Sequence, residues 1–348
     1  MAPLHLNAGE SRYRAMLGVG GIGTGVFFAL AGDHTLGREE SRGGRFLDRR
    51  DYCKLHIIAH YVQALLGPGF TTLPIGKVGD DEAGRRLMDE MKAAGLDVRY
   101  VEPCSSEQTL ASFCLVYPDG SGGNLTVDDS ACDRVDAAWV SRAEPDFARF
   151  AGRGIALAAP EAPLAARRKV LALGTAYGFL RVASFVSAEM KAAVETGLLG
   201  ETDLLGINLD EAAAVAGVSA EARPPRAVVE AAVERLRALN PAMLVSITAG
   251  KQGSWSWDGA SLAHVPAWPA AVVSTAGAGD AHLAGMIAGL AAGLTPAQAH
   301  ELGALVAALS VTSPHTIAPE VGRESLRALA ARLHVPLSEA VGDLLEKA

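Results

Sequence analysis

The chain has 348 residues, of which 49% are hydrophobic and 20% charged, and its formal net charge is −8. This composition is typical of a globular protein with a sizeable core and excludes a largely disordered chain. The acidic balance argues against general binding to nucleic acid or to an anionic membrane, since both require many exposed Lys and Arg side chains. The length alone leaves open whether there are one or two domains.

Targeting and membrane-spanning patterns are not found in the sequence. The N-terminal stretch has no apolar signal region, and every window of about 18 residues contains a polar or charged break. The four cysteines show no Cys-x-x-Cys spacing. We therefore expect a reduced, cytoplasmic protein that does not span a membrane.

The first glycine-rich stretch, residues 18–25, reads GVGGIGTG and satisfies G-x-G-x-x-G. A dinucleotide-binding turn of this kind opens a helix, but here β-branched and aromatic residues follow, with an early turn at Gly32-Asp33. Glu39 and Glu40 do lie near the distance expected for a ribose-binding acid. A nicotinamide oxidoreductase therefore stays as an alternative to a glycine-lined strand end at a ligand cleft.

Two segments, residues 26–50 and 109–129, carry β-type residues around turns. The second includes the turn sequence Pro118-Asp119-Gly120. We predict that both segments leave the main body of the fold as β structure and form a flap or lid.

Elsewhere, short apolar runs alternate with helical periodicity, which is typical of β-α units around a largely parallel sheet. Residues 71–79 predict a strand, and residues 80–95 predict a helix with acids at its start and a glycine at its end. Further strands are predicted at 154–159, 179–185, 203–207 and 242–248, and a further helix at 225–239. The predicted fold class is α/β, with a doubly wound sheet.

A second glycine run, Gly277-Ala278-Gly279-Asp280, follows the strand-like residues 271–273 and precedes a long helical stretch. Backbone N–H groups at such a helix start, together with the helix dipole, favour an anion such as a phosphoryl group. A carboxylate at Asp280 would repel that anion unless it takes a proton from an attacking hydroxyl. The alternative is that Asp280 only caps the helix. The next helix is predicted to begin after a capping box at 295–298 and to end near Ser310.

Residues 274–280, STAGAGD, resemble the D-T-x-G-A-G-D signature of the ribokinase-like (pfkB) carbohydrate kinase family. Three further segments resemble the family's motifs in the same order: G-x-V-G-x-D-x-x-G within residues 71–101, N-x-x-E at Asn208 and Glu211, and T-x-G-x-x-G at Thr248, Gly250 and Gly253. The resemblance extends over roughly residues 14–325, and it implies one ribokinase-like domain over residues 1–348 with a mostly parallel sheet, helices on both faces and the two lid segments inserted.

The resemblance implies an ATP- and magnesium-dependent kinase of a small polyhydroxylated substrate, a sugar in preference to a nucleoside. It implies that Asp280 is the general base and that the backbone from Gly277 through Ala278 and Gly279 holds the transferring phosphoryl group. The expected partners are ATP and the small substrate, and a homodimer through the lid is also expected.

For the nucleotide and its metal, the resemblance implies that Asn208 and Glu211 orient Mg²⁺ through water. The alternative for these two residues is a solvated helix start. Thr248, Gly250 and Gly253 are expected to shape the nucleotide site.

The sequence departs from the family pattern where a sugar would bind. Gly25 stands where the family has an aspartate that grips two sugar hydroxyls, and Asp33 could replace it only if the lid folded back over the cleft. The family's G-G-K-G-A-N segment corresponds here to YCKLHI at 52–57, which keeps only the lysine, Lys54. The expected substrate-side residues are Gly21, Gly25, Asp33, Lys54 and His56.

Two further departures bear on ions and on activity. His56 and His60 have the i, i+4 spacing of a zinc pair, but a substrate-facing role is preferred because no third ligand is evident. Ser274 and Ala276 replace residues that help to bind a monovalent cation in the family, so the resemblance implies no K⁺ site here and leaves K⁺ activation unsupported. A nucleoside kinase and a catalytically silent nucleotide-binding regulator remain as alternatives to the sugar kinase.

Overall fold

A computed structural model describes residues 2–6, 11–118 and 122–346 of the chain. These residues form thirteen strands: β1 (Ala15–Val19), β2 (Gly23–Leu30), β3 (Gly44–Tyr52), β4 (Thr71–Gly79), β5 (Tyr100–Cys104), β6 (Leu110–Val116), β7 (Gly122–Thr126), β8 (Gly154–Ala158), β9 (Leu180–Ser184), β10 (Leu204–Asn208), β11 (Leu244–Thr248), β12 (Ser254–Trp257) and β13 (Leu262–Val265). They also form twelve α-helices: α1 (Lys54–Leu66), α2 (Glu82–Ala93), α3 (Ala137–Ser141), α4 (Glu144–Arg149), α5 (Leu164–Ala176), α6 (Met190–Glu195), α7 (Leu209–Ala216), α8 (Pro225–Leu239), α9 (Ala278–Ala291), α10 (Pro296–Ser310), α11 (Arg323–Leu333) and α12 (Glu339–Leu345).

The larger sheet has nine strands in the order β13-β12-β11-β10-β9-β8-β1-β4-β5. All neighbouring pairs from β11 to β5 are parallel, and β12 and β13 extend the sheet in antiparallel pairs. The chain adds β4 and β5 on one side of β1 and then returns to its other side with β8. The carboxyl ends of β1 and β8 therefore flank a switch point, where open α/β sheets bind their ligands.

Two hydrophobic cores lie on the two faces of this sheet. Successive residues of a strand point to opposite faces, and in β1 the side chain of Met16 packs into one core while that of Leu17 packs into the other. Helices α1, α9 and α10 supply buried residues to the first core, and α5, α7 and α8 supply them to the second. The predicted doubly wound α/β sheet is confirmed.

Several predicted elements have the predicted limits. The strand at 71–79 is β4, the helix at 225–239 is α8, and α10 begins after Thr295 and ends at Ser310. Thr295 is the N-cap of α10 and shares a reciprocal capping box with Gln298, as the sequence predicted. The other predicted strands, β8 to β11, begin or end within two residues of the prediction.

The strand-like stretch at 271–273 is not a strand. Val272 and Val273 have 62% and 48% of their surface exposed, and the amide of Val273 donates a hydrogen bond to the carbonyl of Val311 at the end of α10, at 2.7 Å. β-branched composition alone predicted a strand, but Pro266 and Pro269 precede this segment and lack the N–H groups that a ladder needs. The glycine turn is therefore reached from a loop.

A second, four-stranded sheet is built from the two predicted lid segments, in the order β3-β2-β6-β7. Its β2 strand begins at Gly23, so it starts inside the GVGGIGTG stretch and continues where a dinucleotide-binding fold would have a helix. The oxidoreductase alternative is wrong for this reason. Of the predicted turn after β6, Asp119 and Gly120 lie outside the described residues.

Among the helices in the described part of the chain, none is long and apolar enough to cross a membrane.

Candidate active site

The turn Gly277–Asp280 leads into α9 and leaves backbone donors unused. Gly277 is the N-cap residue with φ of 77°, in the left-handed region, and a Cβ atom there would lie 2.8 Å from the carbonyl oxygen of Thr316. Within the described residues, the amides of Gly279 and Asp280 donate to no protein acceptor. Free amides at the start of a 14-residue helix form a favourable environment for an anion.

Asp280 lies in the first turn of α9, next to these amides. Its carboxylate caps no helix amide in the described structure, so the helix-capping alternative finds no support. Burial raises the pKa of Asp280 to about 7; the ammonium group of Lys54 opposes this shift, and the carboxylates of Glu161 and Glu211 add to it. A pKa raised in this way suits a group that must gain and lose a proton.

Asn208 and Glu211 form a reciprocal capping box at the start of α7. Glu211 Oε2 accepts a hydrogen bond from the amide of Asn208 at 2.8 Å, and Asn208 Oδ1 accepts one from the amide of Glu211 at 2.9 Å. The helix-start alternative is thus correct about capping and about Asn208, which is exposed, but wrong about the solvation of Glu211, which is only 3% exposed. Its other oxygen, Oε1, lies 3.7 Å from Lys54 Nζ.

One cavity of about 580 Å³ brings most of the predicted residues together at the carboxyl ends of β10 and β11. Gly253, with φ of 83°, belongs to its wall, and a Cβ atom there would overlap the carbonyl oxygen of Val265. The predicted residues that line the cavity are Lys54, Asn208, Glu211, Thr248, Gly250, Gly253, Gly277, Ala278, Gly279 and Asp280.

A chain of buried hydrogen bonds lies behind this cavity. His282, two residues after Asp280, pairs through Nδ1 with Ser246 Oγ at 3.2 Å and through Nε2 with Ser254 Oγ at 3.1 Å. His300 on α10 pairs with Ser254 Oγ at 2.8 Å and with Ser256 Oγ at 2.9 Å. The network links α9 and α10 to β11 and β12, and so holds the glycine turn against the sheet.

The two glycines expected on the substrate side, Gly21 and Gly25, lie against acidic side chains. A Cβ atom on Gly21 would lie 2.5 Å from Glu161 Oε2, and one on Gly25 would overlap Asp51 Oδ2 and Ser112 Oγ. Burial is the main cause that raises the pKa of both Glu161 and Asp51. The glycine stretch therefore allows two partly desolvated carboxylates to approach the backbone closely.

Neither Glu161 nor Asp51 was predicted from the sequence. Glu161 has φ of 66°, a conformation rare for a side chain other than glycine, and its Oε2 accepts a hydrogen bond from the amide of Lys54 at 3.3 Å. A signal for it existed, because it closely follows β8 at the ligand-binding edge of the sheet. Asp51 gave no such local signal.

Two expected substrate-side residues lie elsewhere. His56 is 1% exposed and is one of the buried residues of α1. Its ring centroid lies 4.6 Å from that of Tyr52, and burial lowers its pKa to about 3. The carboxylate of Asp33 is 99% exposed beyond the end of β2, with His34 at 3.9 Å. Neither side chain faces the cleft, so both assignments are corrected.

Comparisons with known proteins show which family the chain resembles. A profile described as "pfkB family carbohydrate kinase" matches residues 58–321. A fructoselysine 6-kinase of Shigella flexneri is 27% identical over 239 residues, which cover 67% of this chain and 80% of that protein. A fructokinase of Klebsiella pneumoniae is 28% identical over 229 residues, 63% of this chain and 70% of that protein.

Among solved structures, a ribokinase from Cryptococcus neoformans var. grubii serotype A in complex with ADP superposes with a TM-score of 0.74 at 18% identity. The match covers 92% of this chain and 100% of that chain. At this identity the likeness establishes the ribokinase-like fold.

Proposed function

The chain belongs to the pfkB family of carbohydrate kinases and is thus a phosphotransferase with an alcohol group as acceptor, and from this premise we propose that it transfers the γ-phosphoryl group of ATP to a hydroxyl of a small sugar. The observation that carries the proposal is the position of Asp280, whose carboxylate lies in the first turn of α9 beside two backbone amides with no protein acceptor. A proton acceptor and a positively polarised anion site are what phosphoryl transfer requires.

Asp280 acts as the general base. A carboxyl with a pKa of about 7 binds a proton far more strongly than an ordinary Asp and is still ionised in a large fraction of molecules near neutral pH. Its carboxylate accepts the proton of the acceptor hydroxyl as the oxygen attacks phosphorus. The ammonium group of Lys54, which lowers the pKa of Asp280, keeps the base ionised before the reaction.

The turn before Asp280 holds the charge that develops on the transferring group. The amides of Gly279 and Asp280 are fixed by the first turn of α9 and need not reorganise during the reaction. Gly277 makes this arrangement possible because its left-handed backbone brings the turn close to Thr316. The anion site is therefore part of the backbone and does not depend on a flexible side chain.

The cavity of about 580 Å³ is assigned to the nucleotide, with Thr248, Gly250 and Gly253 in its wall. Bound ATP would supply the phosphoryl group, and Mg²⁺ would neutralise part of the phosphate charge. The described residues hold no group of three or more His, Cys, Asp or Glu side chains arranged to hold a metal ion. Asn208 and Glu211 offer oxygen donors that already share a capping box, so they would hold Mg²⁺ through water.

The acceptor is proposed to be a sugar. The names of two relatives specify fructoselysine and fructose as their substrates, and the cleft of this chain offers the carboxylates of Asp51 and Glu161, which accept hydrogen bonds from hydroxyl groups. The alternative is that the chain is a nucleoside kinase of the same family.

The direct test is ADP release in the presence of ATP, Mg²⁺ and a panel of sugars, sugar amines, polyols and nucleosides. We expect turnover with at least one sugar and a loss of about 10²- to 10⁴-fold in kcat in Asp280→Asn. Turnover with nucleosides alone would favour the nucleoside kinase. ATP binding without turnover on any member of the panel would favour a silent regulator, and an Asp280→Asn variant as fast as the parent would remove Asp280 from the mechanism.

A homodimer through the second sheet is also proposed. One face of this sheet carries apolar side chains that are largely exposed, among them Phe46 at 67% and Leu125 at 64%, and the rings of Phe28, Phe46 and Phe113 form a cluster with centroids 5.1–6.2 Å apart. We expect light scattering to report a dimer that Phe46→Ser dissociates. Val272→Ser, which changes a similarly exposed residue outside that sheet, is the control.

A further inference from the structure

Asp51 occupies the space beside Gly25 on the second sheet. Gly25 on β2 pairs with Asp51 on β3 and with Ser112 on β6, and directly paired residues project from the same face of a sheet. Ser112 Oγ donates a hydrogen bond to Asp51 Oδ2 at 2.8 Å, and Cys114 Sγ approaches the same oxygen at 3.4 Å. One oxygen of the carboxylate is therefore fixed by two donors.

Gly25 and Asp51 depend on each other sterically. A Cβ atom at position 25 would overlap both Asp51 Oδ2 and Ser112 Oγ, so a side chain on Gly25 cannot coexist with the carboxylate in its present position. The sheet thus has one carboxylate site at this point, and β3 supplies it instead of β2.

The strand end that carries Asp51 is tied to the glycine turn before Asp280. The amide of the next residue, Tyr52, donates a hydrogen bond to Thr316 Oγ1 at 3.1 Å, and the backbone of Thr316 packs against Gly277. The negative charge of Asp51 also contributes to the raised pKa of both Asp280 and Glu161. Asp51 is only 9% exposed, yet its second oxygen, Oδ1, accepts no hydrogen bond from the described residues. Oδ1 is therefore available to accept a hydrogen bond from a ligand.

We propose that Asp51 is a specificity-determining residue that binds the acceptor substrate, with Oδ1 accepting hydrogen bonds from substrate hydroxyl groups. The inference rests on the proposed kinase function. It also accounts for Gly25, because a side chain at position 25 would occupy the space that the Asp51 carboxylate takes.

A purely structural role for Asp51 makes the opposite predictions. If the carboxylate served only to tie β3 to β6 through Ser112, its replacement would lower the melting temperature and leave substrate affinity unchanged. If Asp51 instead binds the substrate, the Asp51→Asn variant can be as stable as the parent. The reason is that a desolvated carboxylate lowers the free energy of unfolding of the ligand-free protein.

The test compares Asp51→Asn with Asp48→Asn, an exposed position on the same strand, using D-fructose and fructoselysine as acceptors. For Asp51→Asn we expect a KM for the acceptor about 10- to 100-fold higher, as for a lost hydrogen bond to a charged group, a KM for ATP within about twofold of the parent, and a melting temperature within about 3 °C of it. Asp48→Asn is expected to match the parent. An unchanged acceptor KM, or a melting temperature lower by more than about 5 °C, would overturn the proposal.

A double variant tests the placement of the carboxylate. Gly25→Asp combined with Asp51→Gly moves the group from β3 to β2, and we expect it to recover part of the acceptor affinity that Asp51→Gly alone loses. Failure of this rescue, with the double variant folded, counts against the proposal.

The proposed kinase function can fail separately. If the parent shows no turnover but either sugar raises its melting temperature, loss of that shift in Asp51→Asn supports the binding role although the kinase function is wrong. If no sugar of the panel produces turnover or a thermal shift in the parent, both proposals are overturned.

Discussion

Lys54 Nζ lies 3.7 Å from Glu211 Oε1, so that the first residue of α1 contacts the first turn of α7 at the wall of the cavity. The amide of Lys54 also donates to Glu161. Burial opposes the charge on Lys54, but the carboxylates of Asp280, Glu211 and Glu161 raise its pKa. In turn, the ammonium group lowers the pKa of each of these carboxyls, which makes Lys54 the electrostatic centre of the site.

Removal of this charge is predicted to change the pH at which the enzyme works. Lys54→Met takes away the interaction that lowers the pKa of Asp280, so that pKa rises further above about 7. The base is ionised only above its pKa, and the acid limb of the kcat profile is therefore expected to move about one unit to higher pH. Lys54→Arg keeps the charge and serves as the control. An acid limb that stays in place in Lys54→Met would show that Lys54 does not tune the base.

Asp280 is predicted to reduce the stability of the ligand-free protein at neutral pH. Its folded pKa of about 7 lies above the usual Asp value of 3.8, so the folded state binds the proton more tightly and the parent loses stability as pH rises from about 4 to about 7. Asn at position 280 does not titrate. Urea unfolding should therefore show Asp280→Asn gaining stability relative to the parent over this interval and no further above it. A stability difference independent of pH would contradict the raised pKa.

Gly277 is predicted to be intolerant of any side chain. Its φ of 77° costs an alanine about 1–2 kcal/mol, and the Cβ atom would also lie 2.8 Å from the carbonyl oxygen of Thr316. Gly197 is a matched control, since its φ is 75° but a Cβ there would have no neighbour within 4 Å. In urea unfolding, Gly277→Ala should lose more stability than Gly197→Ala, and kcat should fall only in Gly277→Ala. Equal losses would mean that the contact with Thr316 relaxes without cost.

The parts of the site that local sequence specifies could be predicted before the structure was known. Asp280 lies in the motif that opens α9, and Glu211 lies in the motif that opens α7. Within each motif the residues are neighbours at one helix start, so their spacing in the sequence is enough to position them. Asp51 could not be found in this way. Its contact with Gly25 depends on the pairing of β2 with β3, and that ladder shifts register between Gly25 and Phe27. A one-residue shift reverses which side chains face the cleft, and composition does not specify the shift.

The two incorrect site residues also have physical explanations. Sequence reasoning placed His56 at the cleft because it is polar, but α1 is buried on most of its surface, and His56 stands between Leu55 and Ile57, both of which are buried as well. Asp33 could reach the position of Gly25 only if the lid folded back over the cleft. Instead, β2 continues to Leu30 before the turn, which carries Asp33 away from Gly25. In both cases tertiary packing decided what polarity and spacing left open.

The buried histidines behind the cavity are predicted to make the protein sensitive to acid. Burial lowers the pKa of His282 to about 3 and that of His300 to about 4, whereas an unfolded imidazole takes up its proton near pH 6.5. Between these values the unfolded state binds more protons, so stability should fall as pH falls from about 6.5 to about 4, by about 1.4 kcal/mol per pH unit for each such histidine. His300→Gln removes one titrating group and should reduce this slope, while His34→Gln, at a side chain that is 67% exposed, should change it less. A slope in His300→Gln equal to that of the parent, measured by urea unfolding at several pH values, would mean that His300 takes up its proton in the folded state.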